Sequence, residues 1–201
     1  MKRTLFTLLL SLAVMTVFAQ KEKYLGVAIF NTQSDLPFGK FSGMFSEIFH
    51  PGAEVTWGTN FRMKKKHDWF WDARVAYFFH RFVQHGIPVY ANIGYRYKFN
   101  KRFAADLALG AGYMHSIPAT AKMRLNENGD YENNKGIGRM QANACFGIGA
   151  GYLINPQNVK PVKLFIVYQQ RLQMPFVKSY VPILPYNSFM IGFSKSLAKK
   201  K

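Results

Sequence analysis

Apolar and polar residues alternate over most of this chain. Between Phe103 and Tyr113, the positions Phe103, Ala105, Leu107, Leu109, Ala111 and Tyr113 form one face, and Ala104, Asp106, Ala108, Gly110 and Gly112 form the other. The preceding run sets Val89, Ala91, Ile93, Tyr95, Tyr97 and Phe99 against Tyr90, Asn92, Gly94, Arg96 and Lys98. A period of two identifies strands with one apolar face and one polar or glycine face. Eight such runs are expected, at 23–30, 49–62, 68–81, 88–99, 103–115, 138–153, 162–174 and 184–195. Residues 31–48, 82–87, 116–137 and 175–183 read as one alternating set of loops, and 63–67, 100–102 and 154–161 as the other set, shorter on the whole. Long loops gathered at one end, an even strand number and segments of about ten residues suit a barrel that crosses a bilayer with tilted strands. The expected fold is therefore all-β, an eight-stranded antiparallel up-and-down transmembrane β-barrel.

The first twenty residues break this pattern. Met1-Lys2-Arg3 is a short basic start, Thr4 to Phe18 is apolar, and Val17-Phe18-Ala19 places small residues at both positions that signal peptidase reads. The run is short for a membrane-spanning helix, which needs about twenty residues. It reads as a signal peptide over 1–19, with the barrel domain over 20–201. No cysteine stands at the cut, so a lipid anchor is not expected there. No later segment has the length of uncharged apolar sequence that a spanning helix requires.

Side-chain size tells the two strand faces apart. The apolar face carries Trp57, Phe61, Trp71, Tyr77, Phe79, Tyr95, Phe99, Tyr113, Tyr152 and Phe193, several near strand ends, where the aromatic girdles of a membrane barrel lie. The other face holds Gly26, Gly58, Gly94, Gly110, Gly112, Gly147, Gly149, Gly151 and Gly192, mixed with charges. An eight-stranded barrel has an interior just wide enough to be filled by side chains, and glycines with a few long polar groups fit it. A soluble lipocalin-like barrel reverses the polarity. With 49% hydrophobic and 18% charged residues, the composition excludes a disordered tail and a coiled coil. A single cysteine excludes an internal disulfide framework and a four-thiolate metal site.

Signal peptide, strand number and loop alternation together resemble the small eight-stranded outer-membrane barrels of Gram-negative bacteria, the OmpX and OmpW type. The resemblance is one of pattern and spans nearly the whole chain after residue 19. It implies residence in the bacterial outer membrane, with outer-membrane lipid, lipopolysaccharide and an unidentified protein as partners. The chain departs from the type at its end. Such proteins finish on an aromatic residue, whereas Phe193 is followed here by Ser194-Lys195-Ser196-Leu197-Ala198 and three lysines.

Parity places Glu54, Asp72, Arg74, Arg96, Lys98, Asp106 and Arg171 inside. The turn Asn100-Lys101-Arg102 sets Arg96 opposite Asp106, and a turn centred on Lys65 sets Thr56 opposite Arg74 with Glu54 diagonal to it. Acids and bases threaded through a narrow tube form a paired plug rather than a pore. The same turn sets His50 opposite His80 at the outer rim, where His85 and His115 also map. Beside Glu47 and Ser116, these imidazoles suit a hydrogen-bonded rim, a transition-metal site, or a base for the Ser116 hydroxyl. The last arrangement makes His50, His80, His115 and Ser116 the candidates for a lipid A-modifying hydrolase or acyltransferase. Such barrel deacylases use a His-x-Ser-Asn segment, whereas here His115 and Ser116 are adjacent and point to opposite faces. The primary expectation is a structural or interaction barrel acting through loops 31–48 and 116–137, with no cofactor and no metal assigned.

Other motifs carry less. Gly147-Ile148-Gly149-Ala150-Gly151 lies within a strand with no helix after it, so it is no nucleotide loop. Asn126 to Asp130 resembles a calcium loop in composition but lacks the spaced ligands and closing glutamate. The net charge of +17 includes Lys64-Lys65-Lys66 and Lys199-Lys200-Lys201, both periplasmic in this topology. Nucleic acid is therefore not an expected partner; solvated turns, anionic headgroups or an acidic partner are.

Overall fold

In a computed structural model of the chain, residues 22–36, 39, 43–121, 123–134, 136–158, 160–177 and 180–197 are described. The expected signal peptide and the terminal lysines lie outside them. Strands form where the alternation calls for them: β1 (Glu22–Gln33), β2 (Pro51–Met63), β3 (His67–His80), β4 (Gln84–Lys98), β5 (Phe103–Pro118), β8 (Arg139–Leu153), β9 (Val162–Met174) and β10 (Leu184–Ser196). They close into one antiparallel barrel in the order β1-β10-β9-β8-β5-β4-β3-β2. The short strands β6 (Met123–Leu125) and β7 (Tyr131–Asn133) make a hairpin inside the β5–β8 loop, and the one-turn helix α1 (Gly43–Ser46) lies in the β1–β2 loop.

One loop is not where the pattern put it. Residues 84–87 extend β4, so the connection after His80 shrinks to three residues, Arg81 to Val83. Pro88 looks like a strand start because it lacks an N–H. Inside the sheet it costs only part of one ladder: β4 pairs with β5 without a break from Gln84↔Pro118 to Lys98↔Ala104. On the β3 side the pairing is interrupted between Val75↔Val89 and Phe78↔Gly86. A β-bulge between Asn60 and Arg62 absorbs one residue beside the β2–β3 turn, and Phe61 falls within it.

The outer wall is an apolar belt. Leu25, Val27, Ile29, Val55, Val75, Val89, Ile93, Leu107, Leu109, Ile148, Ile166 and Ile191 are all exposed on it. Soluble monomers rarely expose a contiguous apolar patch of this extent, and one this large marks a membrane or partner surface. Strands of 12 to 16 residues are longer than the belt requires. At about 3.3 Å per residue and a tilt of about 40°, they rise roughly 30–40 Å against an apolar band of about 25 Å. Their ends therefore stand clear of the hydrocarbon.

The interior corrects the expectation of glycines and polar groups alone. Phe30, Ala76, Phe78, Met114, Tyr186 and Met190 form a buried core in the extracellular half. Inward aromatics fit because glycines face them across the sheet. Tyr24 pairs with Gly58 and Phe30 with Gly52 between β1 and β2, and Phe70 pairs with Gly94 and Phe78 with Gly86 between β3 and β4. A Cβ at any of these four glycines would lie 2.1–2.4 Å from a ring atom of its partner. The ring lies over the bare backbone, which is how a narrow tube accommodates a bulky filler.

Candidate functional site

The charged residues of the lumen meet through strand register first and across the barrel second. Arg96 sits opposite Asp106, with Nε to Oδ1 at 2.7 Å and Nη2 to Oδ2 at 3.1 Å. Lys163 reaches the same carboxylate from β9 at 2.7 Å. Arg74 grips Asp72 with two hydrogen bonds of 2.8 and 2.9 Å and donates to Glu54 at 2.9 Å. Asn92 donates to Asp72 at 2.7 Å, and Tyr90 donates to the second oxygen of Glu54. Lys98 pairs with Asp68 at 2.7 Å.

Arg171 departs from the expected pairing of acids with bases. It is 2% exposed, and its hydrogen bonds go to Gln169 Oε1 at 2.7 Å and Tyr90 Oη at 3.2 Å, with its guanidinium 4.9 Å from the Tyr90 ring centroid. Tyr90 thus stands between Arg171 and Glu54. Parity turns Asp68, Lys163 and Tyr90 inward, but the alternation gives none of them a partner. Only their partners on facing strands reveal what they do. The space left in this layer is a cavity of about 40 Å³ lined by Tyr24, Thr56, Asn92, Arg96 and Lys163, among others. That is room for a few waters, not for a channel.

Toward the extracellular end a second, uncharged layer closes the tube. Gln84 donates to Gln173 at 2.6 Å and to Tyr186 at 2.8 Å, Gln173 donates in turn to Gln141, and Ser116 donates to Gln84. Above it His50 and His80 stack face to face, with centroids 3.7 Å apart and planes 13° from parallel. His50 Nδ1 lies 3.1 Å from Gln33 Oε1, and His80 Nε2 lies 3.3 Å from Ser34 Oγ. The other nitrogens, His50 Nε2 and His80 Nδ1, are buried and find no hydrogen-bond partner among the described residues. Burial pushes the His50 imidazole below its ordinary range, against a backbone hydrogen bond with Thr32 and the charge of Glu47.

The four residues weighed for catalysis do not converge. His50 and His80 meet, but stacked rings confine their in-plane lone pairs to two separate, near-parallel planes, so these do not converge on one point. His115 stands on the outer wall, where its Nε2 donates to Ile137 O at 2.8 Å and its Nδ1 meets Tyr113 Oη at 2.9 Å. Ser116, its neighbour, faces the lumen and is 2% exposed. Among the described residues, its hydroxyl is engaged by Gln84 and not by a histidine. His85 is likewise on the outer wall, 2.8 Å from Tyr77 Oη.

A closed eight-stranded barrel with a lipid-exposed apolar wall and a packed, polar lumen is a small outer-membrane β-barrel, and the protein belongs in the bacterial outer membrane, embedded in lipid. No family model and no curated protein matches the sequence. Among solved structures, the chain is similar to Neisserial surface protein A at 10% identity and a TM-score of 0.50, over 90% of this chain and 97% of that one. It is also similar to Ail, the attachment invasion locus protein of Yersinia pestis, solved with the heparin analogue sucrose octasulfate, at 14% identity and a TM-score of 0.44, over 88% and 97% of the two chains. A third similarity is to the outer membrane enzyme PagL, at 10% identity and a TM-score of 0.44, over 84% and 97%. At these identities the likeness is one of fold.

Proposed function

We propose that this protein is a non-enzymatic outer-membrane barrel, a structural or interaction protein that works through its extracellular loops. The observation that carries the reading is the lumen, filled in succession by an ion-paired layer, an apolar core and a glutamine layer. A tube closed three times over supports a scaffold for loops rather than a pathway.

The loops are built to touch something. Asn187 donates to Leu36 O at 2.9 Å and Gly39 O at 3.2 Å, and Phe45 of α1 packs edge-on against the outward Phe189 at 5.3 Å. This draws the β1–β2 loop down the outer wall instead of over the mouth. It leaves Leu36, Phe45, Ile48 and Phe49 exposed beside the membrane surface. The β6–β7 hairpin exposes Met123, Leu125 and Tyr131. Apolar groups on both loops suit lipopolysaccharide or a protein partner.

The competing reading, a lipid A hydrolase or acyltransferase, needs a base within reach of Ser116, and Gln84 holds that hydroxyl instead. Mass spectrometry of lipid A from cells with and without the protein separates the two. Unchanged acylation is expected, with cross-links from the β6–β7 hairpin marking the partner. Gain or loss of one acyl chain, abolished by replacing His50 and His80 with alanine, would overturn the proposal.

A further inference from the structure

The charge of this protein is distributed unequally between its two ends. The extracellular loops mix Asp35, Glu47, Glu127, Asp130 and Glu132 with their basic residues. At the periplasmic end the exposed charges among the described residues are cations throughout. Arg62 and Lys64 to Lys66 occupy the β2–β3 turn, Lys101 and Arg102 the β4–β5 turn and Lys160 the β8–β9 turn, while Lys23 and Lys195 stand on the two strands that close the barrel. The two acids near this end, Glu22 and Asp68, occupy inward positions, with Asp68 bound by Lys98. Because the barrel runs through all of these turns in order, the cations make a collar around the circumference and not a patch on one side.

We propose that this collar binds the phosphate headgroups of anionic glycerophospholipids in the periplasmic leaflet. Three observations favour a lipid over an acidic protein or polymer. The collar lies at the level of outward aromatics, among them Trp57, Trp69, Phe99 and Phe103, which mark the headgroup region. Arg102 is pinned against the outer wall by a 3.0 Å hydrogen bond to Tyr152 Oη. Most telling, Lys23 and Lys195 stand on outward positions next to Leu25 and Phe193, on the lipid-facing side of β1 and β10. A partner docking from the periplasm meets turns. Only lipid meets the wall, where a lysine lays its methylenes along the apolar surface and lifts its ammonium to the phosphates. The proposal is independent of the loop reading above, because it concerns the opposite end of the barrel.

The three tryptophans, Trp57, Trp69 and Trp71, stand on outward positions close to the β2–β3 turn and report on its lipid neighbours. The full-length protein is reconstituted in vesicles containing brominated phosphatidylglycerol or brominated phosphatidylcholine, and tryptophan quenching is followed against bromolipid fraction. Each basic residue near an anionic surface is worth roughly fivefold in binding. Phosphatidylglycerol should therefore be preferred by about that factor per contacting cation at low salt. The preference should fall to unity when Lys23, Arg62, Lys64, Lys65, Lys66 and Lys195, the cations nearest these tryptophans, are replaced by glutamine, with heat-modifiable gel mobility confirming that the variant is folded. Should that variant not refold, the unaltered protein decides: at about 0.5 M salt, where the screening length shrinks to a few ångströms, its preference must vanish. Equal quenching by the two lipids at low salt overturns the proposal, as does a preference that survives these substitutions or the salt. Equal quenching together with retention of soluble polyglutamate assigns the collar to an acidic polymer instead.

Discussion

Two lumen glycines should respond to the same substitution with opposite signs. At Gly94, a Cβ would meet Phe70 Cζ at 2.1 Å and both ring Cε atoms at 2.6 Å. The ring would have to retreat by more than an ångström, into the small cavity it lines and against the groups that hold it. Phe70 is 2% exposed, and the Arg96 guanidinium lies 5.0 Å from its centroid, anchored there by Asp106. Overpacking a filled core costs about 1–3 kcal/mol, and three ring atoms in collision place Gly94→Ala near the top of that range. At Gly147, the nearest atoms to a Cβ are Val167 Cγ1 at 3.5 Å and Tyr168 O at 3.8 Å, both ordinary contacts. Gly147→Ala should therefore stabilise by about 0.4–1 kcal/mol, through a less flexible unfolded chain. Phe70→Ala alone should cost about 3–5 kcal/mol. In the double variant the new methyl enters the space the ring has left, so Gly94→Ala should add nothing further. The coupling in the cycle should be about 2–3 kcal/mol. Guanidinium unfolding midpoints of the barrel in lipid vesicles measure all four proteins. If Gly94→Ala unfolds within about 0.5 kcal/mol of the parent, or the two changes simply add, the aromatic–glycine account of the interior is wrong.

Further outcomes follow from the charge layer, the rim and the leader. Asp106→Asn leaves Arg96 and Lys163 without their shared carboxylate and should cost about 3 kcal/mol in the same unfolding assay, as for removal of one partner from a buried ion pair; an unshifted midpoint would argue against the layer as a plug. His50 titrates below its unfolded value of about 6.5, so its contribution is full above that pH and is lost as the pH falls through the depressed folded value. His50→Gln should flatten the fall in unfolding midpoint between pH 7 and 5, and an unaltered slope would place that sensitivity elsewhere. N-terminal sequencing of protein recovered from membranes should begin at Gln20; a start at Met1 would contradict export by a cleaved signal.

The strands were legible because a bilayer outside and a narrow tube inside impose alternation on every residue. Contacts near short turns were legible too. Arg96 opposite Asp106 follows from the Asn100–Arg102 turn, and His50 against His80 follows from the turn centred on Lys65, because register propagates up a hairpin from its tip. The bulge at Asn60 to Arg62 lies next to that turn and leaves the register above it as expected. What the sequence could not show were contacts that cross the lumen. Lys163 with Asp106, Gln84 with Gln173 and Gln84 with Tyr186 join residues 57, 89 and 102 positions apart. They exist only because the barrel closes at one particular diameter. Phe70 and Phe78 were hidden for a related reason: an aromatic on the polar face looks out of place until the glycine across from it is seen.

The aromatic–glycine pairs also limit what this architecture can become. Those four rings stand on β1 and β3, and a further ring, Phe165 on β9, faces Gly192 on β10, while β5 and β8 line the opposite wall with Gly110, Gly112, Gly147 and Gly149. The other strands supply the rings, and the β5–β8 wall supplies the glycines. Strand number and filling are therefore tied together. Duplicating the β5–β8 hairpin would enlarge the circumference while adding little bulk beyond Met114, Gln141 and Asn143, and the closed scaffold would open toward a conduit. Duplicating β3 and β4 would add a ring beside every glycine it brought and keep the interior shut. The route from plug to pore in such a chain thus depends less on how many hairpins are gained than on which ones are copied.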